Sequence, residues 1–168
     1  MATIRLDDRD IQILSILSRE GRIAKKALAK RVSLSATPCW ERLKRLEAAG
    51  LITGYRADIA LRKLAPYVAV FVLAELDNHR AEAFQTFERA VARRDEIIGC
   101  WALSGGFDYL IQVITPDIDA YQRLIDGFLT QDIGMARYFT YIVTKSIKCG
   151  APPPITALLG GGSGLQKN

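Results

Sequence analysis

Residues 27–43 read ALAKRVSLSATPCWERL, the layout of two short helices meeting across a tight turn. Ala29 is small enough to let two helix axes approach closely. Ser33, four residues on, falls at the turn, and Cys39, six further, anchors the following helix. Ser35 stands where that helix needs a cap, and Pro38 lies in its first turn, where a missing N–H costs little. Cys39, Leu43 and Leu46 form one apolar stripe, and Gly50 follows the helix end. The opposite side carries Thr37, Pro38, Glu41, Lys44 and Arg45, with Trp40 and Arg42 at its margins. Short polar groups near a helix start suit base edges and cations further along suit phosphates, so this side is expected to enter a DNA major groove. A plain three-helix bundle with a charged outer face is the competing explanation.

Upstream, Asp7 is placed to cap a first helix whose Ile11, Leu14 and Leu17 recur at helical spacing, with Asp8 and Asp10 in its first turn and Gly21 at its end. Downstream, LITGYRADI (51–59) reads as a two-stranded wing turning at Thr53-Gly54, with Arg56 available to a phosphate. Charge agrees with this reading. Residues 1–58 hold twelve basic side chains against seven acidic ones, whereas the other 110 residues balance at eleven each. A basic module joined to a neutral one is expected when only the first meets a polyanion.

Residues 59–66 form a linker, and from Tyr67 the pattern changes to β-α-β-β-α-β. Strands are expected at 67–76, 97–103, 107–114 and 136–147. One helix, 80–92, buries Phe84, Phe87 and Val91; another, capped by Asp117, buries Ile118, Tyr121, Ile125 and Phe128. This order is the ferredoxin-like arrangement, two helices on one face of a four-stranded antiparallel sheet, and makes the chain α+β. Both alternating sets of Val68–Leu73 are apolar, and Ile97, Ile98, Ile111, Val113, Ile142 and Val143 add to the excess. A sheet apolar on both sides with helices on one predicts a second subunit on the other, hence a two-fold homodimer. The tail, 151–168, is rich in proline and then glycine and reads as flexible.

Other function classes find little support. Cys39, Cys100 and Cys149 are scattered without a CxxC, and His79 is the single histidine, in a polar turn where it reads as solvated. Neither a metal site nor a nucleophile pair is expected, so the reading is no enzyme, no catalytic residue and no cofactor. No run approaches the roughly 20 apolar residues of a membrane span, and MATIRLDDRD is not a signal peptide, so a cytoplasmic location is expected.

Three blocks, LDDRDIQILSILSREGR, LAKRVSLSATPCWERLKRLEAAGLITGY, and CWALSGGFDYLIQV with RYFTYIVTKSIK, resemble the Lrp/AsnC (feast/famine) regulators in order and spacing from Leu6 to Lys148. The resemblance implies a winged helix-turn-helix over 1–58 and an effector-sensing, oligomerising domain over 67–150 that builds dimers and often octamers of four dimers. It places Ser35, Thr37, Pro38, Trp40, Glu41, Arg42 and Arg45 on double-stranded DNA. It places Ser104, Gly105, Gly106 and Asp108, with the strand start Arg137, Tyr138 and Thr140, around a free amino acid or related nitrogen metabolite. The chemistry is compatible: glycines expose backbone N–H groups to a carboxylate, and Asp108 offers an acid to an ammonium. An ordinary hairpin turn explains Gly105-Gly106 equally well. CWERLKRLEAAG and RYFTYIVTK are similar to members that control catabolic operons, including those for diamino acids and compatible solutes such as ectoine. The rival readings are an architectural DNA-compacting protein and, further off, a metabolite-handling enzyme on the ferredoxin-like domain.

Overall fold

A computed structural model describes residues 4–160. The chain forms two compact units, one of residues up to 58 together with the segment from Lys148, the other Ile59–Ile147.

In the first unit three helices enclose one small core: α1 (Asp8–Leu17), α2 (Lys25–Arg31) and α3 (Ala36–Ala48). Ile13, Leu28, Ala29, Val32, Cys39, Leu43 and Leu46 are buried together, so the small Ala29 and the Cys39 anchor stand where the spacing put them. α1 opens on a reciprocal cap. Asp7 accepts from the N–H groups of Arg9 and Asp10 at 3.0 Å each, and Asp10 accepts from the Asp7 N–H at 3.1 Å. α3 is different: Ser35 occupies the N-cap but its side chain makes no capping bond. Both α2 and α3 end in the same motif. Leu34 N–H donates to Ala29 O and Ser33 N–H to Lys30 O; Leu51 N–H donates to Leu46 O and Gly50 N–H to Glu47 O. Each needs a left-handed residue, here Ser33 (φ 54°) and Gly50 (φ 70°).

The expected wing is not formed. Residues 51–59 contain no paired strand, and nearly all of them are exposed. A lone hairpin is marginal without a third strand or an apolar face to bury, and this segment has neither. Where a flexible tail is expected from residue 151, a short helix α7 (Ile155–Gly160) lies against α1; residues beyond 160 lie outside the described chain.

The second unit begins with a turn of helix, α4 (Leu61–Leu64), inside the expected linker. β1 (Val68–Leu76), α5 (Ala81–Ala92), β2 (Ile97–Ala102), β3 (Tyr109–Thr115), α6 (Ile118–Thr130) and β4 (Met135–Ile142) follow. The antiparallel sheet has the order β2-β3-β1-β4, the ferredoxin-like topology. Val70, Val72 and Ala74 of β1 and Tyr109, Ile111 and Val113 of β3 bury one face against Phe87, Val91, Tyr121, Leu124, Ile125 and Phe128 of the helices. Two boundaries differ from expectation. Ile118 is 44% exposed at the start of α6, and Leu124 takes the core position instead. β4 ends at Ile142, opposite Val70, and the last backbone bond to β1 is Val143 N–H to Ala69 O, so the chain beyond has left the sheet; Ile147 is 82% exposed.

The sheet's other face carries Phe71 and Leu73 of β1, Leu110 of β3, Trp101 of β2, and Phe139 and Tyr141 of β4, cross-strand neighbours by register. Trp101, Phe139 and Tyr141 are 48%, 41% and 54% exposed in the single chain. No described helix is long and apolar enough to cross a membrane.

Candidate nucleic-acid interface and effector loop

α3 buries Cys39, Leu43 and Leu46 and turns Ser35, Thr37, Glu41, Lys44 and Arg45 outward, with Pro38, Trp40 and Arg42 half-buried along the edges. Trp40 is held by cations: Lys25 Nζ, from the start of α2, lies 3.3 Å from the ring centroid and Lys44 Nζ 5.2 Å. Arg56 is exposed in the segment after the helix.

The two arginines are not equivalent. Arg42 turns back across the bundle, its Nη1 2.6 Å from Asp7 Oδ2 and 2.9 Å from Asp10 Oδ1. Arg45 also donates to Asp10, through Nη2, yet its side chain remains 47% exposed where Arg42 keeps 28%. Asp10 itself is fully buried, with both oxygens engaged. The Asp7 carboxyl is held below its usual range, chiefly by the Asp10 N–H and then by Arg42, while the Arg42 guanidinium is pushed up by its two carboxylates. The Cys39 thiol is pushed up by burial, which keeps it protonated and apolar. Nothing in the sequence patterns couples α1 to α3 through charge, because the partners lie 32 and 35 residues apart.

In the second unit, Ser104, Gly105 and Gly106 form the turn between β2 and β3, closed by Leu103 N–H donating to Asp108 O at 2.8 Å. Asp108 is already employed: Oδ2 accepts from Leu76 N–H at 2.8 Å and Oδ1 lies 3.0 Å from His79 Nε2. His79 is solvated as expected, its side chain 65% exposed, and it also links the turn after β1 to the loop through Asp108. The β4 residues divide by strand parity. Arg137 sits on the open face, donating to Glu75 Oε2 through Nε at 3.0 Å, and its guanidinium carbon lies 5.5 Å from the Phe139 ring and 6.0 Å from Phe107. Tyr138 and Thr140 face the helices, where Thr140 bonds the Tyr121 hydroxyl and Tyr138 packs on the core. Phe107, edge-on to Phe139 at 5.4 Å, belongs to this cluster although the sequence patterns single out only its neighbours; an aromatic residue directly after the glycine turn is the signal that could have marked it.

Residues 6–53 match the winged helix-turn-helix DNA-binding family and residues 69–153 the Lrp/AsnC ligand binding domain. The molecule is thus a DNA-binding transcriptional regulator with a ligand-binding domain. Over 145 residues the chain is 50% identical to the transcriptional regulatory protein DoeX of Halomonas elongata, covering 86% of this chain and 92% of that one. It is 40% identical to the leucine-responsive regulatory protein of Escherichia coli, covering 85% and 87%. A transcriptional regulator from Neisseria meningitidis, solved as an L-Met complex, superposes with a TM-score of 0.85 at 31% identity over 92% of this chain and 99% of its own. The chain belongs to the Lrp/AsnC family.

Proposed function

We propose that the protein binds operator DNA as a homodimer through the outward side of α3, and that a free amino acid or related nitrogen metabolite at the 104–108 loop shifts its assembly, up to an octamer of four dimers. Residues 1–58 are the DNA-binding domain and 67–150 the sensing and self-associating domain, joined through 59–66. The observation that carries this reading is the division of α3: an apolar stripe locked into the bundle and an outward side of small polar groups followed by Lys44 and Arg45. Ser35, Thr37, Pro38, Trp40 and Glu41 approach base edges, and Lys44, Arg45 and Arg56 the phosphates. Arg42 serves from behind as a buttress.

Ser104, Gly105 and Gly106 offer backbone N–H groups to a ligand carboxylate, with Asp108, Arg137, Tyr138 and Thr140 around them. On this reading the site lies between subunits, because in one chain Arg137 lies on the open side of the sheet and Tyr138 and Thr140 on the helix side. The Neisseria relative's L-Met complex supports an amino acid as the ligand class. The reading includes no catalytic step, places the protein in the cytoplasm beside its DNA, and makes an operon of nitrogen-compound catabolism its target. Effector binding can act on DNA only through unequal affinity for the two assemblies.

Two measurements test it. A thermal-shift screen of free amino acids should show at least one that raises the melting point, since a ligand at 100 times its Kd stabilises by about 2.7 kcal/mol; a screen without any shift removes the ligand class. Arg45→Ala should lower the salt dependence of duplex binding by about 0.9 in log–log slope for each phosphate it no longer neutralises. An unaltered slope removes α3 as the recognition element.

A further inference from the structure

The Asp7–Asp10 pair does more than cap α1. Asp10 is a fully buried carboxylate at the foot of the helix assigned to DNA, and every partner it has besides the Asp7 N–H is a guanidinium of that helix. Asp7 accepts from the same Arg42 nitrogen, Nη1, through Oδ2. Two of the three cations in the Glu41–Leu46 stretch of α3 are thereby tied to carboxylates of α1, and Lys44 alone has no carboxylate partner among the described residues.

A surface ion pair would not hold an arginine for long against a phosphate, because solvent screens it and side-chain entropy opposes it. A carboxylate withdrawn from water is different: losing its partners leaves a buried charge uncompensated, which is strongly unfavourable. The same burial that makes the bond costly to break makes it a restraint on where the arginine head can go. Arg42 is held at Nη1 by two carboxylates and keeps 28% of its side chain exposed, whereas Arg45 is held at Nη2 by Asp10 alone and keeps 47%.

We propose that Asp10, assisted by Asp7, is a positioning residue that sets DNA specificity, by holding Arg42 off the phosphate backbone and fixing Arg45 so that only its outer edge meets the duplex. The inference rests on the reading of α3 as the recognition helix. A freely swinging Arg42 would add a sequence-independent phosphate contact, and an unfixed Arg45 would follow any phosphate in reach, which raises affinity for every duplex alike. Restrained, they contribute geometry and withhold that indiscriminate attraction. The counter-intuitive consequence is that removing an acid on the far side of the recognition helix should make the protein bind random DNA more tightly.

The test is Asp10→Asn in the full chain, with a mixed-sequence DNA duplex titrated by fluorescence anisotropy across a salt series. The carboxamide keeps the shape and loses the charge. The expected result is tighter binding and a log–log salt slope steeper by about 0.9, as the released Arg42 reaches a phosphate. A carboxylate that merely supports the fold would lower the melting point and leave the slope no steeper, and a folded Asp10→Asn protein with that behaviour overturns the proposal. Arg45→Ala, measured in parallel, separates the two levels: if it too leaves the slope unchanged, the recognition-helix reading has failed, whereas a lowered slope there with no increase in Asp10→Asn condemns the restraint alone. Should Asp10→Asn lack a cooperative thermal transition, Asp7→Asn carries the same readout. Asn caps helices as well as Asp, so this variant removes only the outer anchor of Arg42 and leaves Asp10 in place; a steeper slope supports the proposal, and an unchanged one overturns the part assigned to Asp7.

Discussion

Ser33 adopts φ 54° at the turn between α2 and α3, in the same hydrogen-bonded motif that Gly50 (φ 70°) completes at the end of α3. A side chain in the left-handed region costs roughly 1–2 kcal/mol. Glycine avoids that cost but gives up roughly 0.5–1 kcal/mol through the greater freedom of its unfolded chain. Ser33→Gly is therefore expected to stabilise the first unit by about 0.5–1 kcal/mol, read as a higher urea midpoint at unchanged m-value. A second residue runs the other way. A Cβ built on Gly99 would collide with the Trp101 ring, so the indole rests directly on that glycine across the open face. Gly99→Ala should displace the half-exposed Trp101 ring, read as a red-shifted tryptophan emission as the ring moves further into water, at a cost below the about 1–3 kcal/mol of overpacking a closed core.

The helix α1 is stabilised at its start by a charge arrangement that acid should dismantle. The Asp7 carboxyl is depressed from its ordinary 3.8, first by the Asp10 N–H and then by Arg42. A depressed pKa means that its contribution is complete above the unfolded value and is lost as pH falls through the lower folded value. The unit's melting point should stay level down to the ordinary carboxylate range and fall below it, and Asp7→Asn should flatten that fall. Arg42→Ala removes two of the bonds that hold α3 to α1 and leaves Asp10 with fewer partners, for an expected loss of roughly 1–3 kcal/mol by chemical denaturation. These elements differ in how far the sequence makes them legible. The Asp7 cap, the Cys39 stripe and the buried alternation of β1 depend on residues a few positions apart, and periodicity exposes them. The tie from Asp10 to Arg42 and Arg45 depends on the docking of distant helices, which no local pattern encodes. Ile118 departs from expectation for a related reason: the first residue after the Asp117 cap keeps helical spacing but sits where α6 has not yet reached the sheet. The wing is absent because its turn residues come without any surface for the strands to pack on.

At the scale of the whole molecule, the open sheet face controls what the chain can be. In the single chain Trp101, Phe139 and Tyr141 stand about half-exposed beside Phe71, Leu73 and Leu110, an apolar surface set in the middle of a four-stranded sheet. Stable interfaces concentrate aromatic residues at their centre, and this face carries Phe71, Trp101, Phe139 and Tyr141. Phe71 is the central position, flanked by Gln112 on β3 and Tyr141 on β4. Phe71→Asp should leave the helix-side core untouched, because Phe71 points away from it, while placing a carboxylate where an apolar partner must close. Sedimentation is then expected to report the single-chain mass of 18.6 kDa for the variant and at least twice that for the wild type. Far-UV circular dichroism should be the same for both. Because the monomer presents one recognition helix where a dimer presents two, its affinity for a two-half-site duplex should fall to that of a single head, with the cooperative term lost. A monomeric wild type would show instead that the apolar face is covered by some other means, and the inter-subunit effector site would have to be abandoned with it.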